Sequence, residues 1–219
     1  MTHSEIPSID TAERNRRAWT WRGITDAAGP RHARCTLENF HAETDHQRRV
    51  VAALLAYVAE FPSHRADGRG VLLYGPRGTG KSHLAVAAVR EIIRRHGATA
   101  AWCSGQQLFS TMRDGIGSQR SEAELLAGFT SPDVLILDDP LPSGEGLTPY
   151  QQSTLWLLLD HRYRFLRPTI VTCNVAGSEE LNTRLTPQIA DRVRDGAVAL
   201  QCVWGSHRKL SAVVREGAE

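Results

Sequence analysis

The stretch that decides the fold is Val71-Leu-Leu-Tyr-Gly-Pro-Arg-Gly-Thr-Gly-Lys-Ser-His83, in which an apolar strand runs through a glycine-rich turn into a helix. The turn fits the pattern G-x-x-x-x-G-K-[ST], whose backbone N–H groups converge on one anion, here predicted to be a nucleotide polyphosphate. Lys81 is predicted to reach the β- and γ-phosphates, and the Ser82 hydroxyl is placed for Mg²⁺. The predicted nucleotide-binding residues of this loop are Gly75, Pro76, Arg77, Gly78, Thr79, Gly80, Lys81, Ser82 and His83.

The composition indicates a single large core. The 219 residues are 41% hydrophobic and carry a formal net charge of +2, which excludes a strongly basic nucleic-acid tail. No apolar run is long enough to cross a membrane, and the polar start lacks the core of a signal peptide, so the expected location is the cytoplasm. The four cysteines have no metal-ligand or disulfide spacing and are expected to be reduced, mostly buried thiols: Cys35, Cys103, Cys173 and Cys202.

Residues 1–35 predict an N-terminal arm, because they are polar, rich in arginine and interrupted by proline and glycine. The one helical stretch predicted in the arm runs from Thr11 to Trp19. Trp19 and Trp21 stand two residues apart, so in an extended segment they would share one face. On that face they could dock on a partner protein or stack on bases; the alternative is that they anchor the arm to its own domain.

Beyond the arm, strand patterns alternate with helical ones, which is typical of a parallel α/β sheet covered on both faces. The predicted strands are 71–74, 99–103, 134–139, 169–173 and 197–203. The predicted helices are 47–61, 82–96, 106–113, 121–129, 149–167, 178–184, 187–195 and 206–214. Residues 63–70 are expected to form a polar link, and the helices 106–113 and 121–129 to be a helical pair inserted between two strands.

Two strand ends carry candidate catalytic side chains. The run Val134-Leu-Ile-Leu-Asp138-Asp139 ends in two acids, as expected of a buried parallel strand whose carboxyl end meets a ligand. Asp138 is predicted to hold Mg²⁺ through water, and Asp139 to orient and polarise the attacking water. The alternative is a strand followed by a polar turn. Asn174 ends the next strand, where it could lie near the γ-phosphate or simply form a turn.

With these features in this order, the chain resembles the AAA+ ATPases of the DnaC and IstB group, which are bacterial helicase loaders and transposition helper proteins. The resemblance runs from about Thr36 to about Arg208. It implies an AAA+ P-loop NTPase domain over residues 36–219, with a parallel five-stranded sheet, helices on both faces and a much reduced C-terminal lid. It also implies ATP and Mg²⁺ as cofactors. Its most specific segments are residues 72–85, 167–174 and 189–194, followed by Trp204-Gly-Ser-His-Arg208.

The resemblance assigns family roles to individual positions. Lys81 and Ser82 match the Walker A pair, Asp138 and Asp139 the Walker B pair, and Asn174 the sensor 1 residue. Arg192 matches the arginine finger that enters a neighbouring subunit's site. Arg208 matches the sensor 2 arginine that contacts the γ-phosphate within its own subunit. A finger acting in trans implies self-association into a ring or spiral.

The family also implies a DNA-facing role for the helical pair between Cys103 and Val134. In that pair Arg113 and Arg120 supply the basic groups, and Phe109 and Phe129 are the aromatic candidates for stacking on single-stranded DNA.

Three features depart from the family pattern. Asp139 stands where Glu is usual, which shortens the reach to water and predicts slow or partner-dependent hydrolysis. Pro140-Leu141 replaces a Leu or Ile followed by Gly, and the region before Thr36 is shorter than the partner-binding domain of typical helicase loaders.

The leading functional hypothesis is a helicase loader that binds single-stranded DNA and delivers or regulates a replicative helicase. Two alternatives stay open: an IstB-like helper of a transposase, and a nucleotide-gated binding module that hydrolyses little ATP. A P-loop kinase is disfavoured, because the region after the third strand offers no arginine-rich substrate lid.

Overall fold

The structure is a computed structural model that describes residues 9–142 and 146–207, and its centre is a parallel sheet of five strands. The strand order across the sheet is β2-β3-β4-β1-β5. The strands are β1 Val71–Gly75, β2 Ala100–Ser104, β3 Val134–Asp138, β4 Thr169–Asn174 and β5 Val198–Gln201. The predicted parallel α/β fold is therefore confirmed, with β5 shorter than expected.

Nine helices are seen in the described part of the chain, and none of them is long and apolar enough to cross a membrane. They are α1 Ile9–Ala28, α2 Asp45–Ala59, α3 Phe61–Asp67, α4 Lys81–His96, α5 Gly105–Asp114, α6 Glu122–Thr130, α7 Pro149–Arg164, α8 Ser178–Arg184 and α9 Pro187–Arg194. The helix predicted over 206–214 lies almost entirely outside the described residues.

Each strand sends alternate side chains to opposite faces of the sheet, and each face carries its own core. On β1, Val71 and Leu73 pack into the core formed with α1 to α4, whereas Leu72 packs into the core formed with α5 to α9. On β3, Ile136 and Leu137 divide between the two cores in the same way. The continuous apolar runs seen in the sequence are thus explained by burial on both sides.

Strand order brings three functional segments to one edge of the sheet. Because β4 lies between β3 and β1, Asp138 is in register with Thr172, and Gly75 is in register with Asn174. In a parallel sheet all carboxyl ends point the same way, so the glycine loop, the acids and the amide meet at that edge.

The N-terminal helix α1 is longer than predicted and packs onto the domain. It contacts β2 and α4, and its Ile24 is completely buried. The extended geometry predicted for Trp19 and Trp21 is wrong, because both lie on this helix and point in different directions. Trp21 packs against the core with the Arg90 guanidinium 5.1 Å from its ring centre, whereas Trp19 is 71% exposed.

Residues 63–70 are the second correction, since most of this predicted polar link is helix α3. Pro62 occupies the first turn of α3, where its missing N–H costs nothing. The helix ends at Gly68, which has φ 71°. Helix α7 is capped by Thr148, whose hydroxyl accepts from Gln151 N–H at 3.3 Å.

Candidate functional site

The phosphate-loop glycines adopt conformations that other residues rarely take. Gly78 and Gly80 have φ of 84° and 89°. A Cβ on Gly80 would lie 2.7 Å from the Phe40 ring, and one on Gly78 would overlap Ser206. Both the turn and its close packing therefore need glycine, and α4 begins directly after it at Lys81.

The side chain of Lys81 folds back into the phosphate loop. Its Nζ donates to the carbonyl oxygens of Gly75 and Pro76 at 2.8 and 2.6 Å, and to Thr79 Oγ1 at 3.3 Å. Only 4% of the residue is exposed, and burial lowers the pKa of its ammonium group. The nearby carboxylates of Asp138 and Asp139 act in the opposite direction and favour the charged form.

Asp138 is held by hydroxyl groups from two different elements. Its Oδ1 accepts from Ser82 Oγ at 2.6 Å and from Thr172 Oγ1 at 2.7 Å. The first bond joins the end of β3 to the start of α4, and the second joins it to β4. The structure thus brings the two residues predicted to serve the metal into direct contact.

Asp139 has a different set of partners and a strained backbone. Its φ is 45°, one of two positive values among the described non-glycine residues, and such values recur at functional sites. Its Oδ2 accepts from Asn174 Nδ2 at 2.6 Å, and its Oδ1 from Asn174 N–H at 3.2 Å. The carboxylate predicted to polarise water and the residue predicted to be sensor 1 are therefore hydrogen-bonded to each other.

These residues surround a cleft of about 530 Å³ beside the loop. Among the predicted residues, its lining includes Arg77, Gly78, Gly80, Lys81, Ser82, His83, Asp139 and Asn174. Gly75, Pro76 and Thr79 lie behind this surface, where they hold Lys81. His83 Nε2 donates to Thr36 O at 2.9 Å, and burial lowers the pKa of its imidazole, which favours the neutral ring.

The rest of the cleft wall comes from residues that the sequence did not single out. Arg31, His32 and Cys35 line it from the turn after α1, and His207 from the segment after β5. Burial raises the pKa of the Cys35 thiol. No local motif marks these positions, because they reach the cleft only through the packing of the segments after α1 and after β5 onto the loop.

Thr172 is a further site residue that sequence reasoning missed. Its Oγ1 donates to Asp138 and accepts from Asp139 N–H at 3.0 Å, so one hydroxyl links both acids. The residue is 1% exposed. Its position two residues before Asn174, on the same face of β4, is the signal that could have identified it.

Of the two arginines assigned by resemblance, Arg192 lies within the described residues, and it is apart from this cluster. Arg192, on α9, does not line the described cleft; it bonds to Asp160 and Asp191 and lies against two aromatic rings of α7. Arg208 lies outside the described residues, so its sensor 2 role stays a prediction. The segment that leads to it covers the loop, where Trp204 Nε1 donates to Thr79 O at 2.8 Å.

The helical pair α5 and α6 presents less to nucleic acid than predicted. Arg113 and Arg120 are exposed, but Phe109 is only 7% exposed and belongs to the core. Phe109 is therefore excluded as a stacking platform, and Phe129 is partly buried against the same core.

The oxygen atoms beside the loop fit Mg²⁺. Ser82 Oγ and Asp138 Oδ1 are hard oxygen donors that lie 2.6 Å apart, and Ser82 lines the cleft together with Lys81. Mg²⁺ in phosphate sites takes one or two protein oxygens plus phosphate and water. Within residues 9–142 and 146–207 no group of three or more His, Cys, Asp or Glu forms a separate metal cage. A metal here would therefore be shared with a nucleotide.

Comparison with known proteins gives consistent results. The family profile described as IstB-like ATP binding protein matches residues 8–209. The replicative helicase loader DnaC of Escherichia coli K12 is 29% identical over 200 residues, covering 90% of this chain and 79% of the relative. An insertion-sequence ATP-binding protein of Mycobacterium tuberculosis is 30% identical over 128 residues, 58% of this chain and 49% of the relative. The crystal structure of the DnaC helicase loader superposes with TM-score 0.72 at 23% identity, covering 80% of this chain and 99% of that one.

Proposed function

The chain belongs to the family of IstB-like ATP binding proteins, and from that premise we propose that it is a DnaC-like helicase loader. In this proposal it is an oligomerising, Mg²⁺-dependent ATPase that binds single-stranded DNA and delivers or regulates a replicative helicase. Nucleotide binding follows from the family, and hydrolysis and the partners are the parts to be tested.

The observation that carries the proposed hydrolysis is that Asp138 and Asp139 have different hydrogen-bond partners, so each carboxylate can have its own role. Asp138, bonded to Ser82 at 2.6 Å, would hold Mg²⁺, which when bound neutralises charge that develops on phosphate oxygens. Asp139 is bonded to Asn174 instead, so its carboxylate is aimed independently and would orient the attacking water. Lys81 would bind the β- and γ-phosphates, and Arg192 would stabilise the transition state in a neighbouring subunit.

Hydrolysis is proposed to be slow until a partner binds. Both oxygens of Asp139 accept from Asn174, so the attacking water has to share this carboxylate with Asn174. The side chain is also one methylene shorter than the Glu usual in AAA+ proteins. If partners leave the rate unchanged, the nucleotide-gated binding module becomes the better description.

A replicative helicase is the partner we propose, because the likeness to helicase loaders extends over 90% of the chain, beyond the nucleotide site. Single-stranded DNA is proposed to contact the exposed Arg113 and Arg120 of the helical pair. A transposase is the second candidate partner, favoured by the family's description and by the insertion-sequence relative.

The test is reconstitution with the purified full-length protein. Phosphate release from Mg-ATP is measured with and without a single-stranded oligonucleotide, and then with the replicative helicase from the same organism. Helicase loading is read as unwinding of a forked duplex coated with single-strand-binding protein. The matched control is Lys81→Ala, which keeps the fold of α4 but removes the phosphate-facing cation.

The proposal expects ATP-dependent unwinding that Lys81→Ala does not support, and a weaker effect of single-stranded DNA in the double variant Arg113→Ala/Arg120→Ala. Stimulation by a transposase from the same organism, with none by the helicase, would replace the loader with the transposition helper. No response to either partner would overturn both.

A further inference from the structure

Arg192 is held in place by side chains of α7. Its guanidinium carbon lies 4.3 Å from the centre of the Tyr163 ring and 5.2 Å from the centre of the Trp156 ring. Its Nε is 3.4 Å from Asp160 Oδ1, and its Nη1 donates to Asp191 Oδ2 at 2.9 Å. Two aromatic faces and two carboxylates therefore surround one cation, and we refer to Trp156, Asp160 and Tyr163 as the α7 cradle.

The cradle is itself fixed by neighbouring contacts. The Tyr163 hydroxyl donates to Asp195 Oδ2 at 2.8 Å, which ties the ring to the end of α9. Asp160 Oδ2 also pairs with Arg164 Nε at 2.8 Å, one turn further along α7. These bonds hold the ring and the carboxylate in the positions that Arg192 contacts.

These contacts leave the Nη2 amino group of the guanidinium able to bind a ligand. Nε and Nη1 face carboxylates of the same chain, whereas Nη2 makes no hydrogen bond to any residue that the structure describes. The side chain keeps 24% exposure, so the group reaches the surface. A long side chain that is held but still exposed loses less conformational entropy when it meets a ligand than a free one does.

We propose that the α7 cradle preorganises Arg192 for action in the nucleotide cleft of a second copy of this chain, with Trp156, Asp160 and Tyr163 as positioning residues. This inference rests on the proposed function, in which Arg192 acts in trans. Preorganisation matters because a cation that is already positioned before the reaction does not have to reorient when the transition state forms. The cradle then affects turnover at the junction without touching ATP.

The experiment assigns the two halves of one junction to different proteins. Asp139→Asn donates the finger but has an inactive pocket, and Arg192→Ala donates the pocket but has no finger. Their mixture is expected to recover ATPase activity that neither has alone. The double change Trp156→Leu/Tyr163→Leu is then added to one partner at a time, at a fixed total concentration and mixing ratio.

In the finger donor, loss of both aromatic faces is expected to lower the recovered rate about tenfold, since cation–π contacts of this kind together are worth about one factor of ten in rate. In the pocket donor, whose finger is already absent, the same change is expected to leave the recovered rate and the ATP KM unaltered. Tyr163→Phe in the finger donor is expected to retain most of the rate, because the ring face remains. Tyr150→Leu is the control for loss of an exposed tyrosine from α7, because the Tyr150 hydroxyl donates to Phe109 O and the ring is not among those that contact Arg192.

The outcomes separate the two ideas. No recovery in the unmodified mixture, when mixed oligomers are shown to form, refutes the trans role of Arg192 and the cradle inference with it. Recovery that falls equally whichever partner carries the change, or equally with Tyr150→Leu, refutes the cradle inference and leaves the trans role standing. A higher rate in the finger donor also refutes preorganisation, because the cradle would then be restraining Arg192.

Discussion

Replacing Thr172 with valine removes the hydroxyl that links the two acids while preserving the shape of the side chain. Valine keeps the β-branch that suits the buried strand β4, so the fold should survive. What is lost is the 2.7 Å bond to Asp138 Oδ1 and the 3.0 Å bond from Asp139 N–H. The substitution therefore tests whether the position of the acids limits turnover.

The expected fall in kcat depends on which hydrogen bonds the two acids keep after the substitution. Asp139 N–H keeps the carbonyl oxygen of Thr172 at 3.1 Å, and Asp138 Oδ1 keeps Ser82, so neither group is left without a partner. The principal loss is one buried hydrogen bond to a carboxylate, worth about 1.5 to 3 kcal/mol. If most of this loss is expressed in the transition state, kcat falls by a factor of about 10 to 100.

The assay measures kcat and ATP KM across a Mg²⁺ titration, with the free energy of unfolding from urea titration on the same proteins. Thr172→Ser should restore most of the rate, because it returns the hydroxyl. Thr169→Val is the matched control: it is the same change at the opposite end of β4, where the hydroxyl accepts from Arg162 instead of contacting the site. An unchanged kcat for Thr172→Val, or an equal fall in both valine variants, would refute the positioning argument.

The remaining predictions use single substitutions. Lys81→Ala should lose ATP affinity, since the backbone cradle then binds phosphate without its cation; unchanged binding of a fluorescent ATP analogue would contradict this. Asp139→Asn should keep Mg-ATP bound but suppress turnover, because an amide cannot polarise water as a carboxylate does, and wild-type phosphate release would show that another group is the base. Ile24→Ala should destabilise the whole protein by about 2 to 5 kcal/mol, measured by urea unfolding, because the residue is fully buried; a much smaller loss would mean that α1 folds apart from the sheet.

The sheet and the phosphate loop could be predicted because their signals are local. Continuous apolar runs identify buried parallel strands, and the spacing of Gly75, Gly80, Lys81 and Ser82 identifies the loop. The end of α4 was equally readable, since basic residues precede Gly97, which takes φ 63°. In each case the deciding residues are close together in the sequence.

The errors arose where tertiary packing overrides local signals. A proline such as Pro62 suits either the end of one helix or the first turn of the next. Only the packing of Phe61 into the core decides that Pro62 lies in the first turn of α3. Phe109 is a second example. The sequence does not show whether an aromatic residue on an amphipathic helix packs into the core or is exposed for base stacking. Thr172 and Arg31 could not be identified from the sequence, because the fold brings them to the site and no motif surrounds either residue.

Helix α4 connects the cleft to the N-terminal helix α1, which carries the exposed Trp19. At its first turn, His83 bonds to Thr36 O, just after the turn that lines the cleft with Arg31 and His32. At its other end, Arg17 of α1 donates to Arg94 O at 2.9 Å. Trp19 is therefore exposed on a helix that is fixed to the same element that begins at Lys81. A partner that docks on Trp19 would contact a surface attached to the phosphate loop through one continuous helix, which is why nucleotide state and partner binding at this face should be measured together.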